Sequence, residues 1–192
     1  MDENKYSEID ISNIMEICKK ESIIKSNAYY DKDNKPTHRF LLERIWDNNS
    51  NKKMAAVILY NPSYASELKY DNTTGKVTNY LVERYNGIYF LNLFSKITEP
   101  EYKLKKCEKE ECCDINDRII EEVFKKSSAI YTGWGQSAEN SHNAHDLDRI
   151  EKVKQIMKKC GFQKYYELVN ENNKNIHPSR IIIKKENAVI LK

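Results

Sequence analysis

No apolar run in this chain is long enough to span a bilayer, and charged side chains make up 32% of it, which excludes a transmembrane helix. The opening Met1-Asp2-Glu3-Asn4-Lys5 leads into polar sequence without the apolar core of a signal peptide, so a soluble, cytoplasmic protein is expected. The five cysteines, Cys18, Cys107, Cys112, Cys113 and Cys160, are odd in number and contain no CxxC pair. Neither a disulfide framework nor a zinc site is indicated, and no metal or cofactor is expected. Internal repeats, long low-complexity segments, a phosphate-cradling glycine loop and a Ser-His-Asp order are all missing. A net charge of +3, with acids and bases interspersed, marks no dedicated duplex-binding surface. What 192 residues and 22.7 kDa allow is a single domain with one sizeable core. Residues 1–37 read as an N-terminal helix and linker packed on an α/β core of residues 38–192; the oligomeric state is left open.

What the chain does contain is a set of short apolar runs that stop abruptly at polar turns. The first, Ala55 to Tyr60, has the composition of a strand buried on both faces and ends at Asn61-Pro62-Ser63. Pro62 biases Asn61 toward extended backbone and presents its amide beside the Ser63 hydroxyl. Ahead of it, Ser12 caps a helix through about Lys20, and residues 38–46 suit an edge strand or hairpin arm. After it, Val77, Tyr80, Leu81 and Tyr85 carry a helical pattern closed by Asn86-Gly87. Residues 88–92 form a second buried strand, and Pro100 opens an exposed excursion to Cys113. Asn116 or Asp114 is expected to cap a helix with the stripe Ile119, Ile120, Val123 and Phe124. A third strand over residues 129–132 runs into Gly133-Trp134-Gly135. A loop holding His142 and His145 follows, then a helix from Asp146 to Cys160 stopped by Gly161, and a strand over 165–169. Two further β-like runs, 181–183 and 188–191, close the chain. Strands alternating with helices imply an α/β three-layer sandwich with a mostly parallel central sheet.

In such a sheet the strand ends share one edge, where ligands gather. Four of them carry Asn61-Pro62-Ser63, Asn92, Trp134-Gly135 and His177-Pro178-Ser179. Amides, an imidazole, hydroxyls and aromatics in this company suit a flat, hydrogen-bonding ligand such as a nucleobase.

These residues carry a resemblance. Leu42-Glu43-Arg44-Ile45-Trp46, Asn61-Pro62-Ser63 with Ala65, Asp71 followed by Thr73, Leu91-Asn92-Leu93-Phe94, Asn116-Asp117, Trp134-Gly135 and His177-Pro178 resemble, in order, a bacterial and phage family known as domain of unknown function 1643. The chain departs from that pattern at Asn72 and at Ser179-Arg180. A more distant similarity is to the uracil-DNA glycosylase superfamily, whose motifs Tyr60-Asn61-Pro62-Ser63, Leu91-Asn92, Trp134-Gly135 and His177-Pro178-Ser179 resemble. That second likeness implies a glycosylase-like fold and pocket in which Asn61 orients a water, Asn92 bonds a base edge, and Tyr60 or Tyr64 stacks on the base. His177 would stabilise charge on the departing base. Asp71 is the further catalytic candidate, Ser63, Trp134 and Ser179 the further ligand contacts, and Arg44 an anion partner. Asp71 and Asp117 read equally well as helix caps or as members of salt bridges.

The function so implied is recognition of a nucleobase or nucleotide, with hydrolysis of an N-glycosidic bond as the chemistry. A non-catalytic nucleotide-binding sensor or sequestering module and a structural scaffold are the alternatives. The partner is a nucleotide or single-stranded nucleic acid and not a membrane. With so little net charge, duplex DNA is expected to bind weakly and to be released as salt rises; a gel-shift series in increasing salt checks this.

Overall fold

The computed structural model describes residues 23–47, 53–63, 65–98, 112–135, 138, 144–172, 174 and 177–191. The helix expected near residues 12–20, the excursion after Pro100 and the His142 loop fall outside these residues. The described chain is an α/β structure built on one seven-stranded mixed sheet. In chain order its strands are β1 (Lys25–Tyr30), β2 (Arg39–Ile45), β3 (Met54–Leu59), β4 (Gly87–Asn92), β5 (Ala129–Thr132), β6 (Lys164–Val169) and β7 (Lys185–Ile190). They lie in the order β1-β2-β4-β3-β5-β6-β7. The helices are α1 (Asn72–Leu81), α2 (Cys113–Lys125) and α3 (Ala144–Lys159), with a 3-10 turn at Pro178–Arg180.

β3 is central because it has no polar side chain to keep wet: every residue from Met54 to Leu59 is buried. Its alternate residues serve two separate clusters. Ala55, Val57 and Leu59 pack with Val77 and Leu81 of α1 and with Leu42, Ile88, Phe90 and Tyr131. Ala56 and Ile58 pack with Ile120, Val123 and Phe124 of α2, and with Val153 and Met157 of α3. Helices therefore cover β3 from both sides, as a run that is apolar at every position requires. On the α1 side, Tyr80 donates to Glu186 of β7, and Arg84 pairs with the same carboxylate at 2.5 Å. The first helix is thus tied to the last strand.

Several expectations need correction. The sheet is only partly parallel: β4-β3, β3-β5 and β5-β6 are parallel, whereas β1-β2, β2-β4 and β6-β7 are antiparallel. The β1-β2 and β6-β7 connections contain no α-helix among the described residues, and without a helical crossover a chain returns alongside antiparallel. β1 lies in the stretch read as linker, where Ser26 to Tyr30 pair with β2 from Arg44 back to Arg39. α1 starts earlier and stops sooner than its apolar period suggests, because a capping box between Asp71 and Thr74 sets its first turn. α2 has neither Asp114 nor Asn116 as its cap; Cys112, at φ 55°, stands there without a side-chain cap bond, and Asn116 is buried one turn inside. Residues 181–183 form no strand: Ile181 and Ile183 are buried from irregular chain while Ile182 is 69% exposed, and the ladder begins at Lys185. Among the described residues no helix is long and apolar enough to cross a membrane.

Gly87 marks the tightest backbone approach in the sheet. A Cβ there would fall 2.5 Å from the Arg44 carbonyl oxygen and 2.7 Å from Met54 Cε. Gly87→Ala is expected to lower stability by about 2 kcal/mol or more, since the β2-β4 pair must part to admit the methyl. Gly75→Ala, in α1 with nothing within 4 Å, should gain about 0.5–1 kcal/mol from helix propensity. Urea denaturation of the two variants measures both.

Candidate functional site

The carboxyl ends of the central strands are stitched together by main-chain bonds. Leu93 N–H donates to Leu59 O at 2.9 Å, Phe94 N–H to Tyr60 O at 3.1 Å, and Gly133 N–H to Ile58 O at 2.8 Å. Beyond them the Asn61 turn clasps the chain that follows β4. Asn61 Nδ2 donates to Thr98 Oγ1 at 2.5 Å and to Pro62 O at 3.1 Å, and Thr98 N–H donates back to Pro62 O at 3.1 Å. The Asn61 amide nitrogen is thereby committed, leaving its carbonyl oxygen without a partner among the described residues.

Ser63 turns the other way and donates to Asp71 Oδ2 at 2.6 Å. The second oxygen of Asp71 accepts from Thr74 N–H at 2.7 Å and from Thr74 Oγ1 at 2.9 Å. Burial works against ionisation of this carboxyl, but the bonds from Ser63 and Thr74 and the charge of Arg39 outweigh it and hold its pKa below the usual value. Asp71 is therefore an ionised helix cap with both oxygens engaged.

The His177-Pro178-Ser179 turn packs against this same helix end. Asn72 Nδ2 donates to Ser179 O at 3.2 Å, and Lys76 Nζ donates to the same oxygen at 3.1 Å. The turn also abuts the end of β5. Gly135 sits at φ 85°, and a Cβ on it would lie 2.9 Å from His177 N, so this position requires glycine both for conformation and for space. Ser179 N–H donates to His177 Nδ1 at 3.3 Å, and Ser179 Oγ lies 2.9 Å from the same nitrogen. Nδ1 acting as acceptor puts the proton of the neutral imidazole on Nε2. Burial and then the charge of Arg180 push the pKa down to about 4 against a smaller upward pull from Asp71. His177 is consequently a neutral donor at physiological pH.

Asn92 ends β4 at 1% exposure. Its Oδ1 faces Arg39 Nη2 at 3.5 Å, and its Nδ2 has no partner among the described residues. The backbone around it is pinned: Asn116 Nδ2 donates to Asn92 O at 3.0 Å and to Leu93 O at 3.2 Å. Arg149 Nε adds a 2.7 Å bond to Leu93 O, and Asp117 pairs with that guanidinium. Arg39 also donates to Ala65 O, and burial depresses its pKa.

Ser63, Asp71, His177 and Ser179 thus gather at the start of α1, and Arg39 links this group electrostatically to Asn92 through Asp71. The other candidates lie elsewhere. Tyr60 donates to Asp146 Oδ1 at 3.2 Å and stands edge-on to Phe94 at 5.3 Å, on the α3 side. Trp134, 2% exposed, belongs to the α2-α3 core cluster beside Tyr165. Arg44 is fully buried, 3.3 Å above the Tyr70 ring, with Nη2 donating to Ser66 O and Lys69 O. Its visible work is to hold a loop. Tyr64 lies outside the described residues. Among the described residues no cluster of His, Cys, Asp or Glu could hold a metal.

Two residues at this edge escape sequence reasoning in these roles, Arg39 and Asn116. An arginine at the start of a strand reads as solvated, and Asn116 reads as a cap; only the packed loops reveal them as tethers.

A family model described as "Protein of unknown function (DUF1643)" matches residues 39–179. The chain belongs to the DUF1643 family. No curated protein and no solved structure matches it. The DUF1643 region runs from β2 into the 3-10 turn and holds all the site residues above, leaving β1 and β7 outside.

Because His177 takes up its proton less readily folded than unfolded, the unfolded chain binds more protons between about pH 4 and 6.5. Stability is expected to fall as pH drops through that window, by roughly 2 kcal/mol after allowance for partial solvent access. His177→Gln should flatten this slope, while the Asp71 contribution persists down to more acidic pH. Melting temperatures of both proteins from pH 4 to 8 measure the difference.

Proposed function

We propose that this protein recognises a nucleobase or nucleotide at the carboxyl edge of its sheet, within an α/β framework of the uracil-DNA glycosylase type. The observation that carries the reading is the unpartnered amide nitrogen of Asn92 at the end of β4, with the neutral imidazole of His177, its proton on Nε2, as a second donor on the turn that abuts the end of β5. Such donors complement the acceptor oxygens and ring nitrogens of a base. The resemblance of the Asn61, Asn92, Trp134 and His177 motifs to those of the glycosylases points the same way. Helices on both faces of β3 agree with a three-layer arrangement.

The chemistry this edge would support is displacement of the base by water. The N-glycosidic bond breaks with its electron pair leaving on the base, His177 Nε2–H bonds the oxygen on which charge develops, and a water held by Asn61 Oδ1 attacks the anomeric carbon, the proton that this water gives up passing through solvent to the departing base anion. One observation favours binding without turnover: both oxygens of Asp71 are engaged by Ser63 and Thr74, so this carboxylate is not poised to take a proton from water.

A panel of bases, nucleosides, nucleotides and short single strands, read by melting temperature and by release of free base, separates these readings. Stabilisation is expected, since a ligand held only by the native state raises its stability. If base is released, Asn61→Ala and His177→Ala should each slow it by about 10²-fold while far-UV circular dichroism stays unchanged. Stabilisation without release establishes the binding module, and neither response across the panel removes the nucleobase reading.

A further inference from the structure

The amide of Asn92 has two ends, and the structure commits only one. Arg39 carries donors alone, so the group facing its Nη2 at 3.5 Å must be the Asn92 carbonyl oxygen. The reverse orientation would set an NH2 against a guanidinium. Arg39 itself has little freedom: it is 3% exposed, its Nη1 donates to Ala65 O, and its main-chain N–H donates to Ser95 O at 2.9 Å. The Asn92 main chain is equally restrained, its backbone carbonyl oxygen and that of Leu93 both accepting from Asn116 Nδ2. The Asn92 Nδ2 group is left buried and unpartnered, a situation that costs about 1–3 kcal/mol until an acceptor arrives.

We infer that Arg39 is a positioning residue that fixes the Asn92 amide with its NH2 toward the ligand, so that the site reads one acceptor on a base edge and ignores the N–H beside it. The inference rests on the nucleobase reading and deepens it. An asparagine with both ends free reads a donor and an acceptor together. With Oδ1 held by Arg39, only the acceptor is read. A carbonyl-bearing base is taken, a methyl group on the adjacent ring nitrogen is tolerated, and an exocyclic amine in place of the carbonyl sets donor against donor.

Uridine, 3-methyluridine and cytidine are the probes, with affinity measured by titration calorimetry on the full chain. The wild-type protein is expected to bind uridine and 3-methyluridine within about threefold of each other and cytidine at least tenfold more weakly. Arg39→Met, which keeps the stem and removes the donors, should free Oδ1 and make the protein prefer uridine over 3-methyluridine by fivefold or more. Asn92→Asp, isosteric and paired with Arg39, has no NH2 and should lose at least tenfold for both uridines. It supplies the test if Arg39→Met does not fold. Wild-type binding of uridine with rejection of 3-methyluridine, or equal binding of cytidine, overturns the inference while the nucleobase reading stands. Absence of binding by all three nucleosides, and by the wider panel, overturns both.

Discussion

The main chain of β3 is the reference to which the whole carboxyl edge is attached. Buried on both faces and hydrogen-bonded to β4 and β5, it has no water with which to satisfy its polar groups, so neighbouring strands must do so. Its last carbonyls extend that requirement beyond the ladder: Leu59 O receives Leu93 N–H, Tyr60 O receives Phe94 N–H, and Ile58 O receives Gly133 N–H. The turns after three strands are therefore set relative to one another by backbone bonds, before any side chain is considered. A site assembled from residues distant in sequence gains from such a frame, because small displacements of donors weaken them steeply.

Onto that frame the chain adds two buried arginines from β2. Among the described residues Asp71 is the carboxylate whose charge acts on both Arg39 and Arg44, and the carbonyl oxygens of Ala65, Ser66 and Lys69 accept their hydrogens. Burying a guanidinium costs several kcal/mol unless its hydrogens find partners. The segment after β3 is thus an internal substitute for water, and it keeps its shape because the arginines need it. Arg44 still leaves Nε and Nη1 without partners, as Asn92 leaves Nδ2.

What the sequence made legible follows from which forces are local. β3 announces itself because it is apolar at every position, and β4 and β5 do so because their short apolar runs stop at a polar residue, Asn92 and Thr132. The start of α1 was obscured because its capping box uses Thr74, where Glu or Gln gives the stronger signature, and because Asn72-Thr73-Thr74 reads as loop. β1 was obscured for the opposite reason, Ser-Asn-Ala-Tyr-Tyr being a half-buried edge sequence, and of β7 only the part from Ala188 was readable, because Lys185-Glu186-Asn187 is polar and the apolar 181–183 run competes with the true ladder. At the carboxyl edge, Asn92 and Ser63 could be located as polar residues at or just after apolar strands, whereas His177 stands well beyond the end of β6 at Val169 and caps a 3-10 turn. The burial of Trp134 in the core and the partnership of Tyr60 with Asp146 depend on helix α3, which no local signal connects to them. Asp71 and Asp117 carried two readings, and the structure gives them a cap and an ion pair with Arg149.

The order of strands bears on how copies of this protein can meet. Among the described residues β1 and β7 are the strands without a neighbour on their outer side, and both stand outside the DUF1643 region. Association by backbone strand addition must fall on one of these two rims, at right angles to the direction in which the strand ends point. A chain extended into ribbons of paired sheets would keep the carboxyl edge of every sheet open along the whole length of the assembly.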